Sequence, residues 1–578
     1  PALHMNHQED TNVQEFVYQI EVGWLKPLVL RFLLFVTVAA LAAVYLFFIF
    51  RGLDSETAMD QAQIGRQIAA GSGYTTLYAR PLALWQFLNH REQIPPTPQP
   101  DIYNFPLNPV FNAALLRPIK RWWPMEPTDV VYIGDTVIAA AGIMLFLGSV
   151  LITFFLVRGL FDPRIAWFTT GLVLLTDLLW RFSISGLPQM LLLFLFSAAL
   201  WLTRCAMMAR EDKLTGRTLL SLAGAALLFG LMSLAQPLTS WMFLGFLAFV
   251  FTWFRPRAIS GLLVFFIYAA VVAPWLVRNF LVCGNPLGLG IFSILDGAGS
   301  SEFSFMSNLQ PDLTAFGTVR AKLRGGLLDQ FQNLFSYIGY NVAAAAFFLS
   351  LLHIFKQRVP NFFRWALVLM WLFAAFGMAA FSPRGAVSHN QLHVLFIPLF
   401  IAYGMAFLIV LWNRMDLRFA PARIAFIVAV FVVSALPMAV NILTAPPGRT
   451  AWPPYVAPFI HTVADWMDPS EVLCSDMPWA TAWYGGRSSL LLPTTVKQFI
   501  SIHDYEYLGG PVNGLYLTPV SGNRPFISQI ARGDYGSWAT FIMRSADLSR
   551  FPLKYFTPLP IDNECVFYSN RDRWSKRQ

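Results

Sequence analysis

Asp54 and Glu56, in Arg51-Gly52-Leu53-Asp54-Ser55-Glu56, are the residues of this chain best placed to do chemistry. They follow directly on an apolar run from about Leu28 to Phe50, so they stand at a membrane surface. Carboxylates there are costly to desolvate and usually mark a site or a salt bridge. A lone external carboxylate can act as general base toward an acceptor hydroxyl, or hold a metal or an amine. The competing role is structural. Asp54-Ser55-Glu56-Thr57 is a fitting helix start with Asp54 as cap, and the two roles are compatible.

Cations on the same face come next. Arg278 lies in Pro274-Trp275-Leu276-Val277-Arg278-Asn279, and Arg80 precedes Pro81. Arg384, His389 and His393 stand at the entry to a later apolar run. The arginine fork matches phosphate oxygens and stays charged. The alternative for any one arginine is snorkelling toward lipid headgroups. His389 and His393 are four apart and share a helix face. That spacing can bind a divalent metal, but no third ligand is near, so none is indicated. Further on, Ser475 to Arg487 is dense in aromatic residues, which suits either a sugar-stacking surface or packing of a domain onto the membrane part. Cys474 and Cys565 could pair in an oxidising compartment or sit as buried thiols.

The composition fixes the setting. Of 578 residues, 56% are hydrophobic and 13% charged, against about 25% charged in soluble domains. The formal charge of +9 sits mostly in connectors. It reads as topology control and contact with anionic membrane lipid, and nucleic acid is not expected. Phosphate-cradling Gly-Lys-Ser/Thr loops, His-Glu-x-x-His and nucleophile elbows are all missing from the sequence. Few charges fall inside the spans, which argues against a proton-coupled transporter.

Apolar runs long enough to cross a bilayer occur at roughly 27–50, 131–157, 163–180, 188–209, 217–234, 238–254, 258–280, 337–356, 361–381, 390–412 and 421–444. Every second connector carries the Lys/Arg excess, as in Arg210 to Arg217 and Trp412 to Arg423. This predicts a multi-pass protein of the plasma (inner) membrane, with its N-terminus cytoplasmic and its C-terminus external. Residues 1–26 form a cytoplasmic segment whose first four look like a cloning scar before Met5. Residues 27–444 form the membrane domain, with external loops 51–129 and 283–336. Within the first loop, Met59, Ala62, Ile64, Ile68 and Ala69 predict a surface helix ending at Gly71 to Gly73. Residues 445–578 read as a small soluble α/β or α+β domain.

This arrangement resembles the GT-C superfamily of polytopic glycosyltransferases, near the protein O-mannosyltransferase and aminoarabinose transferase groups. The resemblance rests on Gly52-Leu53-Asp54-Ser55-Glu56 after the first span, and on Ala69-Ala70-Gly71-Ser72-Gly73-Tyr74 after the surface helix. It also rests on Val157 to Ala166 as the first cytoplasmic turn, on Pro274 to Phe280 with Gly284-Asn285-Pro286, and on His389-Asn390-Gln391-Leu392-His393. It covers about 1–444. It implies a GT-C-like membrane fold of about 11 spans. It also implies transfer of a sugar from a polyprenyl-phosphate donor to an acceptor on the external face. Asp54 would be the base, with Glu56 the second acid. Arg278 or Arg384 would touch the donor phosphate, with Arg80 on the same face. Tyr74, Asp177, Gln189, His389 and His393 would line the site. Gln189 replaces an acid of relatives, and Gln391 and His393 replace an Arg-Tyr pair. A non-catalytic membrane subunit that binds a protein partner through 445–578 is therefore the rival reading, and a transporter the third.

Overall fold

The computed structural model describes residues 25–124, 131–212, 215–295, 305–311, 317–381, 391–415, 420–445, 456–518, 535–557 and 565–574. The expected scar at 1–4 and the predicted site residues Arg384 and His389 lie outside them. The chain divides into two units, Pro1–Phe50 and Arg51–Gln578. The first contributes α1 (Leu25–Ala43), which continues as a π-helical segment Val44–Ile49. Its stretch Arg31–Ile49 has a mean hydropathy of 2.7, enough to cross a membrane.

The second unit opens with the loop that carries the acids. Helix α2 (Glu56–Ala70) is capped by Ser55, whose side chain accepts from the Ala58 N–H at 3.2 Å. The cap is thus one residue later than expected, and Asp54 is left outside it. The helix ends at Gly71 (φ +96°), as predicted. It is not a surface helix, because Ala58 to Gly65 are all buried. The loop continues through β1 (Thr75–Thr76), β2 (Tyr78–Ala79), α3 (Pro81–Arg91), β3 (Gln99–Pro100) and α4 (Leu107–Leu116).

The apolar helices follow. They are α5 (Ile133–Leu160), the pair α6 (Pro163–Leu174) and α7 (Asp177–Ile184), α8 (Gln189–Glu211), α9 (Thr215–Ala235), α10 (Thr239–Trp253) and α11 (Arg257–Cys283). After α12 (Val319–Gln332) come α13 (Val342–Ser350), α14 (Arg358–Phe381), α15 (Ile397–Arg414) and α16 (Ala420–Thr444). Among the described residues eight helices are long and apolar enough to span a membrane, or up to nine if the bent pair is one span. The predicted 337–356 span is instead the nine-residue α13, about 14 Å long. Packing joins α8 to α9, α5 to α8, α10 to α14, and α13 to α15.

The break between α6 and α7 is a bend of 59°. Thr176 sits in it, and its hydroxyl donates to the Leu172 carbonyl at 2.8 Å and accepts from Asn341 Nδ2 at 3.2 Å. Helix α5 lies tight on α7 at Gly142, where a Cβ would come within 2.1 Å of the Ser183 carbonyl oxygen. The bend and the close approach fix where the polar face of α7 points.

The remainder is α17 (Ala457–Asp465), β4 (Val472–Ser475), α18 (Pro478–Gly485), β5 (Ser488–Leu491), α19 (Val496–Asp504), β6 (Val512–Leu517), β7 (Lys554–Tyr555) and β8 (Val566–Ser569). The sheet runs β2-β5-β4-β6-β8-β7, parallel through β6 and antiparallel at β8 and β7. Its first strand comes from the 51–129 loop. The Ser307 carbonyl and Asn308 of the second loop also bond Thr494. The predicted 445–578 domain is therefore completed by both loops. A continuous hydrogen-bonded sheet cannot straddle a bilayer, so the first loop and this domain lie on one side.

Cys474 and Cys565 are free thiols on opposite faces of this sheet, in separate apolar clusters. Strands β4 and β8 are two places apart, about 9–10 Å, beyond the reach of a disulfide. All four cysteines should alkylate in denaturing detergent without reductant, counted by intact mass. Two missing adducts would mean a disulfide and a different strand arrangement.

Candidate functional site

Asp54 opens into a cavity of about 1100 Å³. Ser55, Asp177, Arg181, Ser185, Ser336, Gly339, Tyr340 and Asn441 line it with apolar residues of α16. Asp177 and Arg181 are four apart on α7, one turn along the same face. Asn441 Nδ2 donates to Asp177 Oδ1 at 2.8 Å and orients that carboxylate. Asp54 and Arg181 are both open to the cavity. Protein still surrounds Asp54 on most sides, and this crowding raises its carboxyl pKa. A backbone N–H and the nearby Arg181 charge pull it partway back. The arrangement is a carboxylate with its proton affinity raised, beside a cavity-facing guanidinium and a second, oriented carboxylate. It suits accepting a proton next to a developing anion.

A second cavity, of about 320 Å³, lies across the turn that starts α2. Ser55 and Leu187 line the first, and Thr57 and Pro188 the second. Gln61, Asn104, Gln236, Ser240 and Ser293 line it with Trp241, Leu287 and Phe381, and among the described residues none that lines it is charged.

Of the residues picked from the sequence, Asp54 and Asp177 come together here. The others among the described residues go elsewhere, each for a stated reason. Glu56 is in the first turn of α2 and accepts from the Tyr78 hydroxyl at 3.1 Å, so it ties the acidic loop to β2. Arg80 is 2% exposed and bonded to Asp60 and to Asp101 (3.5 Å), so its charge is already spent inside the loop. Arg278 donates to the Asp101 carbonyl and to Asn279 Oδ1 (2.9 Å), and lies over the Tyr74 and Trp275 rings. It lines neither of these two cavities. Tyr74 donates to the Asn104 carbonyl at 3.1 Å. Burial among Asp101 and Asp60 holds its phenol well above the usual range.

Gln189 and His393 are buried in the packed interior and line neither cavity. His393 Nδ1 accepts from Trp371 Nε1–H at 3.0 Å, so Nε2 carries the proton and donates to Gln330 Oε1 at 3.0 Å. Gln330 in turn donates to the Ala375 carbonyl at 3.0 Å. This is a structural link between α12 and α14. Among the described residues no group of three or more His, Cys, Asp or Glu could hold a metal ion. The aromatic 478–485 helix is wholly buried, so it packs the domain inward and offers no sugar-stacking face.

Arg181 and Asn441 were not picked from the sequence. Arg181 had a signal, its i, i+4 spacing from Asp177 on a short polar-faced helix. Asn441 had none, since it reaches Asp177 from 264 positions away.

The cap and the chemistry separate in experiment. Ser55→Ala should destabilise the protein by about 1 kcal/mol through the lost cap. Asp54→Asn should leave the melting temperature unchanged or raised, because the fold already disfavours the charged carboxylate. A comparable drop for Asp54→Asn in thermal melts would return Asp54 to a structural role.

No protein-family model matches the sequence, and no curated protein matches it. Solved structures do. The archaeal oligosaccharyltransferase AglB from Archaeoglobus fulgidus, in complex with an inhibitory peptide and a dolichol-phosphate, aligns with TM-score 0.55 and 13% identity over 96% of this chain and 75% of that one. ArnT from Cupriavidus metallidurans in the apo state aligns with TM-score 0.55 and 13% identity over 94% and 98%. The same protein bound to undecaprenyl phosphate gives TM-score 0.51 and 13% identity over 93% and 98%. This chain, with at least eight apolar helices long enough to span a membrane among the described residues, therefore shares the fold of AglB and ArnT.

Proposed function

We propose that this protein is an integral membrane glycosyltransferase that moves a sugar from a polyprenyl-phosphate carrier to an acceptor hydroxyl on the extracytoplasmic face. The observation that carries the proposal is the 1100 Å³ cavity joining Asp54 to Arg181 and Asp177. Structures of the same fold hold a dolichol-phosphate in AglB and undecaprenyl phosphate in ArnT.

In this reading Asp54 takes the proton of the acceptor hydroxyl. The acceptor oxygen bonds to the anomeric carbon while the bond from that carbon to the phosphate oxygen breaks. The electron pair leaves on the phosphate, whose growing charge Arg181 meets with its fork. Asp177, held by Asn441, faces the sugar side of the same space. The second cavity, beyond Thr57, with Gln61, Asn104 and Gln236 on its wall, suits a hydrogen-bonding part of the second substrate. The loop 51–129 and the terminal sheet share the outer side, as the alternating basic connectors require. Gln189 and His393, the departures that favoured a non-catalytic subunit, stand in the interior and vacate no position of this cavity.

Asp54→Asn should cut transfer from a polyprenyl-phosphate sugar by about 10²–10⁴. Full activity in that variant would end the assignment. Arg181→Ala should weaken donor binding far more than Arg181→Lys, whereas Arg278→Ala should change it little.

The pH profile follows from the Asp54 environment. A base must be deprotonated, so the acid limb of kcat/KM should lie above the usual carboxylate range of about 4. Arg181 lowers the Asp54 pKa, so Arg181→Ala should move that limb further up. A limb that stays put in Arg181→Ala would place the titrating group elsewhere.

A further inference from the structure

One buried carboxylate is used by nothing above. Asp135, in the first turn of α5, has no exposed surface. Its Oδ1 accepts from Trp483 Nε1–H at 2.7 Å. Its Oδ2 accepts from the Tyr484 hydroxyl at 2.7 Å and from the Leu53 backbone N–H at 3.4 Å. Trp483 and Tyr484 belong to α18 of the terminal domain, and Leu53 is the residue before Asp54. The indole is itself fixed, edge-on to Tyr132 with centroids 5.2 Å apart and under the Arg66 guanidinium at 4.8 Å. Arg66 also donates to the Ala482 carbonyl at 2.7 Å. The Leu53 side chain is buried beside Gly186, just past the end of α7.

From this geometry we infer that Asp135, with Trp483 and Tyr484, is a positioning device that holds the Asp54 backbone in register with Arg181. The terminal domain is then part of the framework of the site. Three donors converge on one group, and a carboxylate accepts all three without turning a donor toward any of them. An amide would turn an N–H toward one of them. Leu53 is held from both sides, its amide by Asp135 and its side chain by the end of the helix that bears Arg181. Loosening either side displaces Asp54 from the cavity wall, and small displacements of a reacting group are expensive.

The catalytic part of this inference rests on the Asp54 reading, while the structural part does not. The test uses the full chain in detergent with three variants. Asp135→Asn reverses one acceptor, and Tyr484→Phe leaves the carboxylate free to turn about its Trp483 bond. Tyr568→Phe deletes a buried hydroxyl, bonded to the Phe541 carbonyl, elsewhere in the same domain. Hydrogen exchange in the peptide spanning 51–57 should speed up tenfold or more in the first two variants and stay unchanged in the third. In a transfer assay, Tyr484→Phe should lower kcat about tenfold with donor KM unchanged. Unaltered exchange in both Asp135→Asn and Tyr484→Phe would overturn the inference, as would equal acceleration by Tyr568→Phe. Fast exchange with undiminished kcat in Tyr484→Phe would overturn the positioning role. Full activity of Asp54→Asn would instead remove the base assignment and leave the exchange result standing.

Discussion

The loop that follows the first span is organised around one buried cation. Arg80 sits between Asp60 of α2 and Asp101 beyond β3, with its plane against Tyr78 and Tyr103. An unpaired guanidinium at that depth is forbidding, so the loop must fold such that both acids reach it. Asn104 and Gln63 then fill the remaining lone pairs of Asp60. In satisfying one charge, the chain fixes the spacing of α2, β2, α3 and the 101–104 turn. Everything that β2 and the start of α2 present to their neighbours follows from that spacing.

The same polar economy is inverted in the large cavity. Asp54 and Arg181 face it without the dense hydrogen bonding that surrounds Arg80. Their burial is partial, and the space between them is wide enough for a substrate headgroup. Two clusters of acid and arginine in one chain thus differ in kind. One is densely bonded and holds the loop, and the other opens onto a cavity. Composition and residue type alone do not tell these apart.

That difference explains what the sequence revealed and what it hid. The apolar runs gave most spans, because lipid forces long apolar helices and connector charge marks their ends. The place of Asp54 was legible, since it stands directly after such a run. Arg80 and Arg278 looked like free cations because their partners, Asp60 and Asp101, arrive from the far side of the loop. The helix 56–70 was read as surface-lying from its apolar positions Met59, Ala62, Ile64, Ile68 and Ala69, whereas Asp60, Gln61 and Gln63 between them are also buried and hydrogen-bonded. The α13 region was apolar enough for a span, yet Asn341 caps the helix and Ser350 ends it after nine residues. The edge strand β2 was invisible, being two residues long with its partner in β5.

That two-residue strand has a consequence for how the protein is made. Tyr78 pairs with Ser489, which the ribosome adds about four hundred residues later. At the usual 5–20 residues per second this is a delay of roughly 20–80 s. The first span is threaded into the membrane early, yet the edge of the loop behind it has no partner until the last quarter of the chain emerges. During that interval β2 is an unpaired strand and Asp135 lacks Trp483 and Tyr484. A nascent or truncated chain therefore carries its acidic loop in an unfinished state, exposed to chaperones and proteases. Only a polypeptide translated past β5 and α18 can shield it.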